Sequence, residues 1–192
     1  MVLSPFETYK YRVTSPYGQR VLNGASEFHG GVDLVGVGGT AVCSVCDGTV
    51  IQSRIITDKN NLTWQWGNYV SVQAKDGTVI YYCHLDSRAV KAGDKIKTGQ
   101  RIGIMGNTGY SFGAHLHFEV RQKSKTINAA EYLGIANKTG QYDVRKLNAE
   151  AYIDGIVKKA GFTKPADVKT ALLGVNHNYP DELYRKIYEK MK

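Results

Sequence analysis

The sequence predicts an α+β chain, with a mainly antiparallel β-sheet domain over residues 1–138 and a small helical segment over 139–192. Three observations predict it. Period-two alternation and β-branched or aromatic enrichment recur in TAVCSVCDGTVIQS, NYVSVQAKDGTVIYYCHL and HLHFEVR. Glycine, 21 residues in all and mostly before residue 141, punctuates these runs as tight turns would. Beyond Lys138-Thr139-Gly140 glycine becomes scarce and apolar residues recur at helical spacing.

Within the β domain, Asp76-Gly77 stands between two strand-like runs and signals a hairpin. Asp47-Gly48 marks a similar turn or a bulge, and VKAGDKIKTGQRIGIMG reads as a second glycine-punctuated strand pair. In the helical segment, Val144, Leu147, Ala151, Ile153, Ile156 and Val157 mark a first helix. Pro165 stands in the first turn of a second, which Gly174 ends. Pro180 opens a third, with Leu183, Ile187 and Met191 on one side. Such a segment, roughly 50 residues long, just reaches the size at which independent folding is found.

The 192 residues leave room for one domain and a small appendage, and 42% hydrophobic with 22% charged residues is an ordinary globular balance. A net charge of +8 favours polyanionic partners. No basic run carries the interleaved aromatics that a single-stranded nucleic acid wants, so no nucleic-acid partner is expected. No stretch approaches the 18 apolar residues of a membrane span, so stable membrane insertion is not expected either. MVLSPFETYKYRV lacks a basic stretch followed by a long apolar core, which predicts synthesis without an export leader. Cys43, Cys46 and Cys83 lie in apolar, strand-like surroundings and suit a reducing compartment, so the chain is expected to be made in the cytoplasm.

Five histidines occur, and four of them lie in short motifs. His115 and His117 form His-x-His in AHLHFEV; on a strand, residues two apart share a face, so both imidazoles reach one point. His29 and Asp33 form His-x-x-x-Asp in FHGGVDL, where Gly30 and Gly31 argue for a loop entering a strand. His84 in YYCHLD ends the strand that follows Asp76-Gly77, whereas His177 in VNHNYP has no partner in sequence and reads as structural. A zinc hydrolase needs three nitrogen or oxygen ligands and a fourth position open to water, whose pKa falls to about 7. By spacing alone, any three of His29, Asp33, His84, His115 and His117 meet that need. No His-Glu-x-x-His helix supplies a glutamate base, so a histidine has to accept the proton or stabilise the transition state.

FHGGVDL, YYCHLD and GNTGYSFGAHLHFEV, with CDGTVIQS, GNYVSVQAKDG and VKAGDKIKTGQRIGIMGNTG connecting them, resemble the lysostaphin-type zinc endopeptidases. These are autolysins and endolysins that cut peptidoglycan, and the resemblance runs from about Ser15 to Asn137. It implies a lysostaphin-like β fold with one Zn2+ per chain, held by His29, Asp33 and His117. It further implies that His84 and His115 lie unligated beside the metal, handling the attacking water and stabilising the tetrahedral intermediate. The implied substrate is bacterial peptidoglycan, at a stem or cross-bridge peptide bond that the motifs do not single out. All five positions are filled, which favours an enzyme over the alternative, a non-catalytic cell-wall-binding regulator or virion structural component of the same fold.

Some members of that group use a tyrosine upstream of the first ligand as an oxyanion donor, and Tyr17 is the candidate here at a looser spacing. The helices over 139–192 are expected to form a wall-binding module. A wall hydrolase made without a leader suits a phage endolysin, acting on the wall after release; a virion-associated lysin and a bacterial autolysin are the alternatives.

Other residues carry two readings. Glu119, on the same strand face as His115 and His117, either accepts from a ligand histidine's second nitrogen or pairs with a surface cation. Trp64 and Trp66 either line a substrate groove or cap the sheet. Cys43-x-x-Cys46 has no second such pair and reads as packing thiols, and alternation turns Cys83 away from His84 into the core. The run VKAGDKIKTGQRIGIMG also resembles small barrels that carry biotin or lipoate. None of its lysines stands at an exposed hairpin tip beside Met or Ala, and that reading leaves the histidines unexplained.

Overall fold

The computed structural model describes residues 3–61, 63–148, 150, 151 and 154. Two compact units divide the chain, Leu3–Tyr142 and Asp143–Lys192 together with Met1–Val2. Of the helices expected over 144–191, residues 144–148, 150, 151 and 154 are helical; the rest, His177 included, lies outside the described residues.

The first unit is β throughout, apart from single helical turns. Its strands are β1 (Lys10–Ser15), β2 (Gly18–Leu22), β3 (Ala25–His29), β4 (Val32–Gly36), β5 (Ala41–Cys43), β6 (Gly48–Ile55) and β7 (Asn68–Ala74). There follow β8 (Val79–Arg88), β9 (Lys95–Ile96), β10 (Arg101–Met105), β11 (Leu116–Gln122) and β12 (Lys125–Ile127). After the short helix α1 (Ala129–Leu133), β13 (Gly140–Asp143) completes the series. The helix is bounded by Asn128, whose side chain accepts from Ala130 N and Glu131 N, and by left-handed Gly134.

Eleven of these strands form one sheet in the order β13-β1-β4-β11-β8-β7-β6-β9, with β10 joining β5 to β8 and β12 pairing with β11. The recorded pairings are antiparallel. Asp76-Gly77 makes the expected hairpin between β7 and β8, with Gly77 at φ 85° and Thr78 N donating to the Asp76 carboxylate at 2.9 Å. β2 and β3 stand apart as a two-stranded hairpin. Its turn is Asn23-Gly24, at φ 51° and 80°, the dipeptide that a two-residue hairpin with positive φ at both positions prefers.

The central strands β4, β11 and β8 position the site. In register, His117 lies opposite Asp33 on one side and Cys83 on the other. Alternation then sends Val32, Leu34, Leu116, Phe118 and Tyr82 to the opposite face, where all are fully buried. Tyr82 and Phe118 meet edge to face at 5.4 Å, a geometry worth about 0.5–1.5 kcal/mol beyond area burial. A one-residue slip of β11 would exchange the core side chains for the polar ones, so the apolar face specifies the register that holds the polar residues together.

One irregularity matters. Asn68 pairs with Leu85 and Val70 with Tyr82, so Cys83 and His84 together oppose the single residue Tyr69. His84 takes φ 62°, a left-handed conformation unusual for a side-chain-bearing residue. The bulge sits where Cys83, His84 and Leu85 are all buried.

Candidate metal centre

His29 closes β3, Gly30-Gly31 turns the chain, and Asp33 follows on β4. Gly31 is required there for space: a Cβ at that position would lie 2.5 Å from Phe118 O and 2.9 Å from His117 Cε1. The backbone therefore passes hard against β11, and the two motifs FHGGVDL and HLHFEV meet.

Three atoms converge. His29 Nε2 lies 3.0 Å from His117 Nδ1 and 3.1 Å from Asp33 Oδ1, and His117 Nδ1 lies 3.0 Å from the same oxygen. A tetrahedral zinc ion with bonds of about 2.0–2.1 Å holds its ligand atoms roughly 3.3–3.4 Å apart, so this triangle fits such an ion. The outward nitrogens support the fit. His29 Nδ1 lies 2.8 Å from the Pro16 carbonyl, to which it donates. His117 Nε2 lies 3.4 Å from Glu119 Oε2. With those nitrogens carrying the ring protons, two bare imidazole nitrogens and a carboxylate oxygen face one point, an arrangement that needs a cation between them.

Without a metal, a proton does that work. Burial disfavours a charged His117, but bonds to Asp33 and Glu119 outweigh it and raise its pKa to about 9. For Asp33, burial likewise opposes ionisation; bonds from His115, His117 and His29 prevail and hold the carboxyl far below the usual carboxylate range.

His84 and His115 flank this triad without joining it. Their ring centroids lie 4.7 Å apart, and His84 lies 5.9 Å from His117. His115 precedes β11 rather than lying in it, tied to Gly106 by an isolated bridge, and its Nε2 is 3.5 Å from Asp33 Oδ1. Both rings are oriented by one loop, residues 107–113. His84 Nδ1 donates to Thr108 O at 2.8 Å, and His115 Nδ1 to Gly113 O at 2.8 Å with Ser111 Oγ at 3.2 Å. With Nδ1 carrying the proton, neutral His84 keeps Nε2 free to accept, while His115 Nε2 lies toward Asp33 Oδ1. Burial, with the charges of His117 and His115, pushes the His84 pKa down to about 3, so His84 stays neutral near pH 7.

Glu119 fulfils both of its readings at once. It is buried, faces His117 Nε2 with one oxygen, and pairs with Arg121 through the other. The Arg121 guanidinium in turn lies 5.3 Å from the Trp66 ring centre and 4.8 Å from that of Tyr81.

Arg20 is a member of the site that the sequence did not reveal. From β2 its Nη1 donates to Asp33 Oδ2 at 3.1 Å and to Ser15 Oγ at 2.9 Å, while Nε donates to Glu27 Oε1 at 2.6 Å. Asn23-Gly24, which places Arg20 opposite Glu27, is the signal that could have found it.

A cleft of about 480 Å³ opens over these groups. Phe28 lines it from the β2–β3 hairpin, and Tyr110, Phe112 and Trp66 line it from the loops, with Phe112 70% exposed. Trp66 thus borders the cleft while packing against Tyr69 and Tyr81. Tyr17 does not face the centre: its ring packs on Phe28 and its hydroxyl donates to Thr126 O at 3.4 Å. Cys43, Cys46 and Cys83 are free thiols, and Cys83 is fully buried.

The sequence pattern of peptidase family M23 matches residues 27–129, the stretch that holds the four convergent histidines and Asp33. Peptidoglycan DD-endopeptidase ShyA of Vibrio cholerae is 36% identical over 123 residues, 62% of this chain and 27% of that protein. Murein hydrolase activator NlpD of Escherichia coli is 35% identical over 111 residues, 57% of this chain and 27% of that one. In structure, the catalytic domain of the antimicrobial peptidase lysostaphin from Staphylococcus simulans superposes with a TM-score of 0.51 at 31% identity, covering 65% of this chain and 91% of the domain. The chain spans under a third of the length of the curated relatives it matches.

Proposed function

Since the chain belongs to peptidase family M23, we propose that it is a zinc-dependent endopeptidase that hydrolyses a peptide bond of bacterial peptidoglycan. One observation carries this reading. His29 Nε2, Asp33 Oδ1 and His117 Nδ1 stand 3.0–3.1 Å from one another, with two further imidazoles beside them. His29, Asp33 and His117 would hold the zinc. When bound, the ion supplies a water of lowered pKa and polarises the scissile carbonyl.

The rest falls to the protein's own side chains. His84 and His115, their rings fixed by Thr108 and Gly113, present Nε2 on the same side, where one accepts the water's proton and the other stabilises the intermediate. Once protonated, either imidazolium donates a hydrogen bond to the oxygen that gathers charge, or returns the proton to the leaving amine. The aromatic walls at Phe28, Tyr110 and Phe112 receive the peptide and exclude water from the bond. The likeness to ShyA, by its name a peptidoglycan DD-endopeptidase, supports the wall peptide as substrate.

The likeness to NlpD favours a second reading, an activator of a separate wall hydrolase that does not itself cut. Clearing of purified cell walls separates the two. An enzyme clears walls alone, loses that activity to a chelator and regains it with zinc. Chelator-insensitive failure to clear any wall type, combined with faster clearing by an added wall hydrolase, supports the activator.

A further inference from the structure

We propose that Arg20 is a positioning residue that sets how Asp33 binds the metal: it occupies Oδ2 and so limits the carboxylate to one-oxygen donation through Oδ1. The inference rests on the metal-centre reading above and assigns a task to a residue outside the ligand set.

The two oxygens of Asp33 have separate surroundings. Oδ1 faces the centre, 3.1 Å from His29 Nε2, 3.0 Å from His117 Nδ1 and 3.5 Å from His115 Nε2. Oδ2 faces away and takes Arg20 Nη1 at 3.1 Å. A carboxylate free at both oxygens can swing to chelate a cation with the pair, filling the position a reacting water needs; a charge-assisted bond to Oδ2 opposes that swing.

Arg20 is itself held for this task. Nε and Nη2 both lie 2.6 Å from Glu27 Oε1, its partner across the β2–β3 hairpin, and Nη1 also reaches Ser15 Oγ at 2.9 Å. Ser15 pairs with Asp33 in the β1–β4 ladder just after a register shift at Val13/Ser15, and Thr14 Oγ1 donates to Asp33 O at 3.2 Å. Side chain and backbone of Asp33 are thus anchored from two strands. The arrangement needs a fork: one edge of the guanidinium meets Glu27 while Nη1 meets Asp33 and Ser15, which a single lysine nitrogen cannot reproduce. The hairpin that delivers Arg20 also delivers His29 at its end, so one element supplies a ligand and the partner of another ligand.

A purely mechanical role, tying the hairpin to the sheet, is the competing account, and metal spectroscopy separates them. The full chain is stripped of metal and loaded with Co2+, whose visible absorption distinguishes four- from five-coordination. The wild-type protein should give the intense bands of a four-coordinate ion at one equivalent per chain. Arg20→Gln should retain one Co2+ but show the weaker bands of a five-coordinate ion, and its kcat with zinc should fall about tenfold or more. Arg20→Lys, which keeps the charge without the fork, should fall between them, and it carries the test if Arg20→Gln does not fold. Wild-type bands in both variants, with only a lower melting temperature, overturn the proposal. A wild-type protein that takes up no Co2+ overturns the metal-centre reading itself, and with it the proposal.

Discussion

Gly31→Ala places the least possible atom against the two motifs that build the site. The new Cβ would stand 2.5 Å from Phe118 O and 2.9 and 3.0 Å from His117 Cε1 and Nε2, where ordinary contact begins at 3.4 Å. Relief requires about 0.9 Å at the carbonyl and about 0.5 Å at the ring. Phe118 is held in the β4–β11 ladder opposite Val32, so the ladder has to open or the His117 ring has to tilt. Either movement shifts Nδ1 relative to Asp33 Oδ1 and strains the bond from Nε2 to Glu119. Overpacking of this size costs roughly 1–3 kcal/mol of stability. Disturbing both the ligand and its outer partner should weaken zinc binding about 10–100-fold. Urea denaturation measures the first, and competition for zinc against a chromophoric chelator measures the second. A variant with wild-type zinc affinity and unaltered stability would refute the account of how β4 and β11 hold the centre.

Three further predictions follow from individual side chains. His117→Ala should lose bound zinc, whereas His115→Ala should keep one zinc per chain yet lose nearly all turnover, as elemental analysis and wall clearing would record; equal metal loss in both variants would show the roles to be misassigned. Glu119→Gln keeps an acceptor for His117 Nε2 but removes the charge, and should weaken zinc about tenfold in the same competition assay; unchanged affinity would confine Glu119 to pairing with Arg121. The pKa of His117 is raised in the metal-free protein from 6.5 to about 9, so its contribution to stability is full below pH 6.5 and is lost as pH rises through about 9. Zinc has to displace that proton, so affinity should climb about tenfold per pH unit up to about pH 9 and then level off; a pH-independent affinity from 7 to 9 would contradict it.

The strands were legible because β4, β8 and β11 carry apolar residues that alternate or run continuously, and because Asp76-Gly77 announces its hairpin. The convergence of FHGGVDL on HLHFEV was implied by the resemblance to the lysostaphin-type endopeptidases, not by periodicity or spacing. Spacing alone did not choose which three residues bind metal. That choice depends on which ring nitrogen meets a carbonyl or carboxylate, and Pro16, Thr108 and Gly113 act through backbone oxygens that leave no trace in side-chain identity. His84 illustrates the same limit. Simple alternation does not foresee the left-handed bulge at which His84 stands. Arg20 was missed because its contact with Asp33 crosses three strands' worth of chain; Asn23-Gly24 was the only local cue.

The most direct test of a zinc peptidase is the appearance of new chain ends. Purified peptidoglycan of several wall types is incubated with the metal-stripped protein, with and without one equivalent of zinc, and the released fragments are read by mass spectrometry. The account predicts fragments with a new amino and a new carboxyl terminus at one peptide linkage, formed only with zinc present. A protein that binds one zinc per chain and leaves every peptide linkage of every wall intact would contradict it.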